Sequence, residues 1–109
     1  MSKCTTYYIQ AQQIDQLVEY FGTTLEKLTP VDKLALRATL AYWLFHLEVA
    51  DLSEYTLNHA LEDTMQGYSE DCQVNLKKAI AILEGIGRGE AEGLIEALTD
   101  QLRWRNTGY

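Results

Sequence analysis

Placed at about 100° per residue, the side chains of Thr29–Val49 (TPVDKLALRATLAYWLFHLEV) form two apolar faces rather than one. Leu36, Leu40, Trp43, Leu44 and Leu47 make the first. Val31, Leu34, Ala35, Ala38, Ala41, Tyr42, Phe45 and Val49 make the opposite one. Asp32, Thr39 and His46 fill one edge between them, and Lys33, Arg37 and Glu48 fill the other. The stretch starts as a helix should: Thr29 can cap, Pro30 suits the first turn, and Asp32 is placed to complete a capping box. A helix that is apolar on two sides has to be covered on two sides. It is either the middle of a bundle, or a core helix whose second face meets another molecule.

The rest of the chain supplies helices to cover it. From about Ile9, the residues Ile14, Leu17, Val18 and Phe21 recur at helical spacing and Gly22 stops the run. Leu25 and Leu28 stay in phase, which predicts a helix to about Tyr20 and a short second helical piece to Leu28. Asp51 with Glu54 reads as the start of the next helix, in which Leu57, Ala60, Leu61, Thr64 and Met65 share a face. Gly67 ends it, and Ser69 opens another whose buried stripe is Cys72, Leu76, Ala79, Ile80 and Leu83. After Gly85-Ile86-Gly87-Arg88-Gly89, a last helix runs from about Glu90 to Trp104 with Ala91, Leu94, Ile95, Leu98 and Leu102 on one side. No segment alternates at period two. The expected fold is all-α: a compact bundle of about five helices around the two-faced helix at about residues 30–49. Residues 1–8 are expected to be a flexible N-terminus, 9–104 a single helical domain, and 105–109 a flexible tail.

Composition narrows the function. At 109 residues, 47% apolar and 23% charged, the chain is long enough for one core without disulfides or metal. The formal net charge is −7, which disfavours a general nucleic-acid or anionic-membrane surface, since Lys and Arg supply most of that affinity. The longest unbroken apolar run, Leu40–Phe45, is far short of a membrane span. The N-terminal residues have no apolar core of a signal peptide. Cys4 and Cys72 match no metal or redox spacing, so a reducing, cytoplasmic setting is expected.

Candidate chemistry is sparse. His59 with Glu62, and His46, lack the repeated inward carboxylates of a bundle metal site. No P-loop, HExxH or nucleophile elbow occurs, so no catalytic residue, cofactor or metal is assigned. Leu83-Glu84-Gly85-Ile86-Gly87, followed by Ala91 and Leu94, resembles a helix-hairpin-helix motif. That resemblance implies the alternative expectation, a DNA-binding module, in which Gly85, Gly87, Arg88 and Gly89 hold a DNA phosphate through free N–H groups at a helix N-terminus. Glu84 stands where the motif commonly has Pro, and Glu90 and Glu92 sit where a phosphate would approach. The same glycines also serve a tight turn between two helices.

The primary expectation is a non-catalytic protein–protein interaction module: a small adaptor, inhibitor or regulator. Its partner would be another protein, with a second copy of the chain as one candidate. Leu36, Leu40, Trp43 and Leu47 are the candidate apolar contact. Glu92, Glu96 and Asp100, stacked at i, i+4 and i+8, with Arg103 and Trp104, are the candidate polar contact. If Leu40 is interface, Leu40→Glu spares the fold; if it is core, the change unfolds the chain.

Overall fold

The computed structural model describes residues 5, 11–50 and 55–107, with the backbone alone for 50 and 105–107. Among the described residues from Ala11 on, five α-helices follow in order: α1 (Gln12–Phe21), α2 (Pro30–Ala50), α3 (Leu57–Thr64), α4 (Glu70–Leu83) and α5 (Arg88–Thr107). A 3-10 turn (Met65–Gly67) joins α3 to α4. There is no strand among the described residues. Helix α2 packs against α3, α4 and α5, while α4 also packs against α1 and α3. The radius of gyration, 13.1 Å, is that of a compact globule of this length.

The start of α2 forms as its sequence predicts. The Asp32 N–H donates to Thr29 Oγ1, and the Thr29 N–H donates to Asp32 Oδ2, both at 3.0 Å. Asp32 is 2% exposed. Its carboxylate also accepts from Asn75 Nδ2 of α4 at 2.8 Å, so the cap is at once a tie between helices. Burial and the Asp32 carboxylate push the Cys72 thiol up to about 11. Cys72 is therefore a buried neutral thiol, as its place on the α4 stripe suggests.

Two further polar contacts fix how α2 is rotated about its own axis. Thr39, fully buried, donates to the Ala35 carbonyl and lies 3.3 Å from Thr64 Oγ1 and 3.4 Å from the Tyr68 hydroxyl. Trp43 Nε1–H donates to the Tyr55 carbonyl at 2.9 Å. The edge carrying Asp32 and Thr39 thus faces inward together with Leu36, Leu40, Trp43 and Leu47.

Several expectations are corrected. Leu25 and Leu28 are buried, but in turns rather than in a second helical piece. Gly22 leaves the helix at φ +103°, and Leu25 takes the left-handed region at φ +54°. The Glu26 carboxylate accepts from both the Thr24 N–H and its hydroxyl at about 3 Å, and such local bonds compete with helix. Lys33 Nζ ties this turn to α2 through the Thr24 carbonyl. The expected start at Asp51 and Glu54 lies outside the described residues. Helix α3 is capped at Thr56, whose side chain accepts from the His59 N–H while His59 Nδ1 accepts from the Thr56 N–H. Ser69 caps α4 as expected. Helix α5 begins at Arg88 and continues to Thr107, beyond the expected end at Trp104. Thr5, in the segment expected to be flexible, is buried between the Thr23 carbonyl and Gln101. The other residues of 1–8 lie outside the described ones.

These contacts predict separable stability effects. Gly22→Ala should cost about 1–2 kcal/mol in urea unfolding, because its φ suits only glycine and the added Cβ meets the Glu26 carboxylate. Hydrogen bonds from its own backbone N–H and from Thr24 hold the Glu26 carboxyl below its usual range. Its stabilisation is thus present above the unfolded-state value and is lost as pH falls through the lowered folded one. Glu26→Gln should leave a smaller stability difference from wild type at low pH than at neutral pH. Leu40→Glu should unfold the chain, as a buried unpaired charge costs about 3–5 kcal/mol, and circular dichroism reads that directly.

Candidate interaction surface

The largest candidate site is the face of α2 that the core leaves bare. Leu36 and Leu40 are 0% exposed, and Trp43 and Leu47 are 8% exposed. The expected apolar contact at Leu36, Leu40, Trp43 and Leu47 is therefore core, not a docking face. The physical reason is the set of buried polar contacts on that side of α2, Asp32 with Asn75, Thr39 with Thr64 and Tyr68, and Trp43 with the Tyr55 carbonyl, which turn this face inward. The opposite face remains in water. Val31 is 61% exposed, Leu34 46%, Phe45 60% and Val49 67%, with Ala38 and Ala41 exposed between them. Of the residues on that face in sequence, Ala35 is buried and Tyr42 is half-buried. The rest form one stripe along the helix, spanning about 27 Å from Val31 to Val49 at 1.5 Å per residue.

Helix α5 runs antiparallel beside this stripe. Arg37 Nη1 of α2 donates to Thr99 Oγ1 at 3.3 Å, and Arg88 at the start of α5 pairs with Glu48 near the end of α2 at 3.3 Å. The pair is mostly exposed, so it fixes alignment more than it adds stability. A shallow groove opens between the two helices, lined by Leu44, Phe45, Glu48, Arg88, Gly89 and Glu92. Phe45 belongs to both the stripe and the groove.

The polar candidates lie along α5. Glu92 and Glu96 are exposed and Asp100 is half-buried. Glu96, Asp100 and Arg103 line a second groove together with Thr99. Asp100 Oδ2 is buried without a hydrogen-bond partner. Trp104 is exposed near the end of the described side chains. The structure thus brings Glu96, Asp100 and Arg103 together, and places Glu92 apart from them beside Phe45.

The Gly85–Gly89 turn is held by the chain's own acids. Gly85 has φ +90°, as the tight turn requires. The Gly87 N–H donates to Glu90 Oε1 at 2.7 Å, so a carboxylate already fills the position where the resemblance would put a phosphate. Arg88 is turned to Glu48. Glu84 reaches back to accept from the Leu57 N–H at 3.2 Å, capping α3 from the far end of α4.

Both histidines sit in an aromatic stack that the sequence pattern did not reveal. His46 lies between Tyr42, at 4.4 Å between centroids, and Tyr55, at 4.9 Å; Tyr55 in turn stacks on His59 at 5.8 Å. The Tyr55 hydroxyl donates to Asp63 at 2.5 Å. Burial and that carboxylate raise the Tyr55 pKa well above its usual value. The His46–Tyr55 contact joins α2 to the segment before α3 and links two pairs, Tyr42–His46 and Tyr55–His59, each four residues apart, that are nine residues apart from each other at this contact. No group of three or more His, Cys, Asp or Glu side chains able to hold a metal occurs among the described residues. No described helix is long and apolar enough to cross a membrane. Compared with family models, with curated proteins and with solved structures, the chain shows no match.

Proposed function

We propose that this chain is a non-catalytic protein–protein interaction module, a small adaptor, inhibitor or regulator, and that its docking surface is the bare face of α2. One observation carries the reading. Four large apolar side chains, Val31, Leu34, Phe45 and Val49, are each about half or more exposed along one helix stripe. Scattered exposed apolar residues are normal, but a contiguous set marks a binding surface. The acidic edge of α5, beginning with Glu92 in the groove beside Phe45, borders this stripe and supplies charge selectivity. Cytoplasmic placement belongs to the same proposal. It is consistent with the neutral buried thiol of Cys72.

A photoreactive benzophenone amino acid at position 45 tests this in the cells that make the chain. Position 74 serves as control, since Val74 is equally exposed but lies on α4, away from the stripe. Position 45 should give protein adducts and position 74 none. Leu34→Ser should remove the adducts while leaving thermal stability within about 0.5 kcal/mol, as surface changes do. Equal labelling at positions 45 and 74 would sink the proposal.

A further inference from the structure

We infer that the partner at this surface is a second copy of the chain, bound antiparallel through α2 about a two-fold axis that passes between Ala38 and Ala41. The inference rests on the interaction reading above and adds the identity and geometry of the partner.

The first argument is the order of residues along the stripe. A two-fold contact is isologous: if one residue meets another, the second meets the first on the opposite chain. For two antiparallel helices, residues equally far from the axis on either side then meet, so a stripe whose side-chain sizes are symmetric about its middle matches size with size along the whole contact. The exposed stripe has that symmetry. From its N-terminal end it runs Val31, Leu34, Ala38, Ala41, Phe45, Val49. Reversal about that axis places Phe45 opposite Leu34 and Ala41 opposite Ala38, and brings Val49 to within one residue, about 1.5 Å, of the position opposite Val31. Valine meets valine at both ends, large meets large inside them, and small meets small at the centre.

The second argument is shape. Alanines at the middle let two helix backbones approach to about 8 Å, the close end of helix packing. Phe45 and Leu34 then fill the space on either side. On each copy the groove edged by Leu44, Phe45, Glu48 and Arg88 lies beside the position Leu34 of the other copy reaches, so it takes that side chain.

The third argument is area. With Val31, Leu34, Phe45 and Val49 at their observed exposures and Ala38 and Ala41 exposed between them, the stripe presents on the order of 500 Å² per copy, so pairing that covers it fully removes at most on the order of 1,000 Å² in total, near the lower limit for a specific interface. The contact is therefore a modest dimer, sensitive to conditions. The two-fold puts both α5 helices on the same side of the pair. The acidic residues Glu92, Glu96 and Asp100 of the two copies then repel. Added salt screens that repulsion, so association strengthens with salt, the reverse of a phosphate-binding surface.

Sedimentation equilibrium of the full chain across low to high micromolar concentration tests the pairing. Twice the mass of one chain is expected, with a dissociation constant that falls several-fold from low to high salt. Phe45→Glu and Ala38→Glu should each weaken association at least 100-fold with unchanged circular dichroism. Geometry is read by disulfide crosslinking in a Cys4→Ser background, in which buried Cys72 stays silent. A mixture of Val31→Cys and Val49→Cys chains should crosslink, whereas neither chain alone should. A monomer at every concentration and salt, a dimer untouched by both glutamate variants, or crosslinking of Val31→Cys chains with themselves would overturn the inference. The benzophenone test separates the two readings: adducts at position 45 to a different protein, with a monomeric chain in solution, discard the two-fold pair and leave the interaction surface standing.

Discussion

The buried Asp32 carboxylate is the contact that sets the orientation of the molecule. Helix α2 carries apolar side chains on two opposite faces, and the hydrophobic effect has no direction with which to choose between them. Hydrogen bonds do. Asp32 closes the capping box with Thr29 and accepts from Asn75 of α4. One turn and more along the same edge, Thr39 joins the hydroxyls of Thr64 and Tyr68, and Trp43 reaches the Tyr55 carbonyl. Turning α2 over would strip these partners from groups that are out of water, at about 1–3 kcal/mol for each group left unsatisfied. Polar residues that add little net stability thus decide which apolar face becomes core.

That choice explains what the sequence could and could not reveal. The helices, their start residues at Thr29 and Ser69, and the buried stripes of α4 and α5 follow from spacing and capping chemistry local to each segment. The faces of α2 were equally visible. Which of them is covered depends on Asn75, Thr64, Tyr68 and Tyr55, between 12 and 43 residues away in sequence. Helical periodicity within α2 holds no record of them. Leu25 failed for a related reason: its stripe phase correctly marked it as buried, but the Glu26 carboxylate and the φ of Gly22 bend the backbone out of helix. The cap at Thr56 was missed because His59 occupies the place where Glu or Gln is the usual signal.

The surface that remains has a division of labour. Its apolar part lies on one helix, where the core behind it holds the backbone rigid. Its charged part lies on the neighbouring helix, aligned by Arg37 with Thr99 and by Arg88 with Glu48. In the proposed docking, a partner that fits the stripe is also measured against the acids. In that proposal apolar area supplies the attraction, and the net charge of −7 selects among candidates and makes the outcome depend on ionic strength.

The reach of Glu84 to the Leu57 N–H has a consequence for how the chain is made. Helix α3 has only eight residues, and isolated helices shorter than ~12–15 residues are marginal in water. Its first turn gains this acceptor from a residue translated 27 positions later. During synthesis α3 emerges with its Thr56–His59 capping box but without this second acceptor, which follows only with the end of α4. The first turn of the short helix is thus completed by a residue of a later helix, although α3 lies in the middle of the sequence.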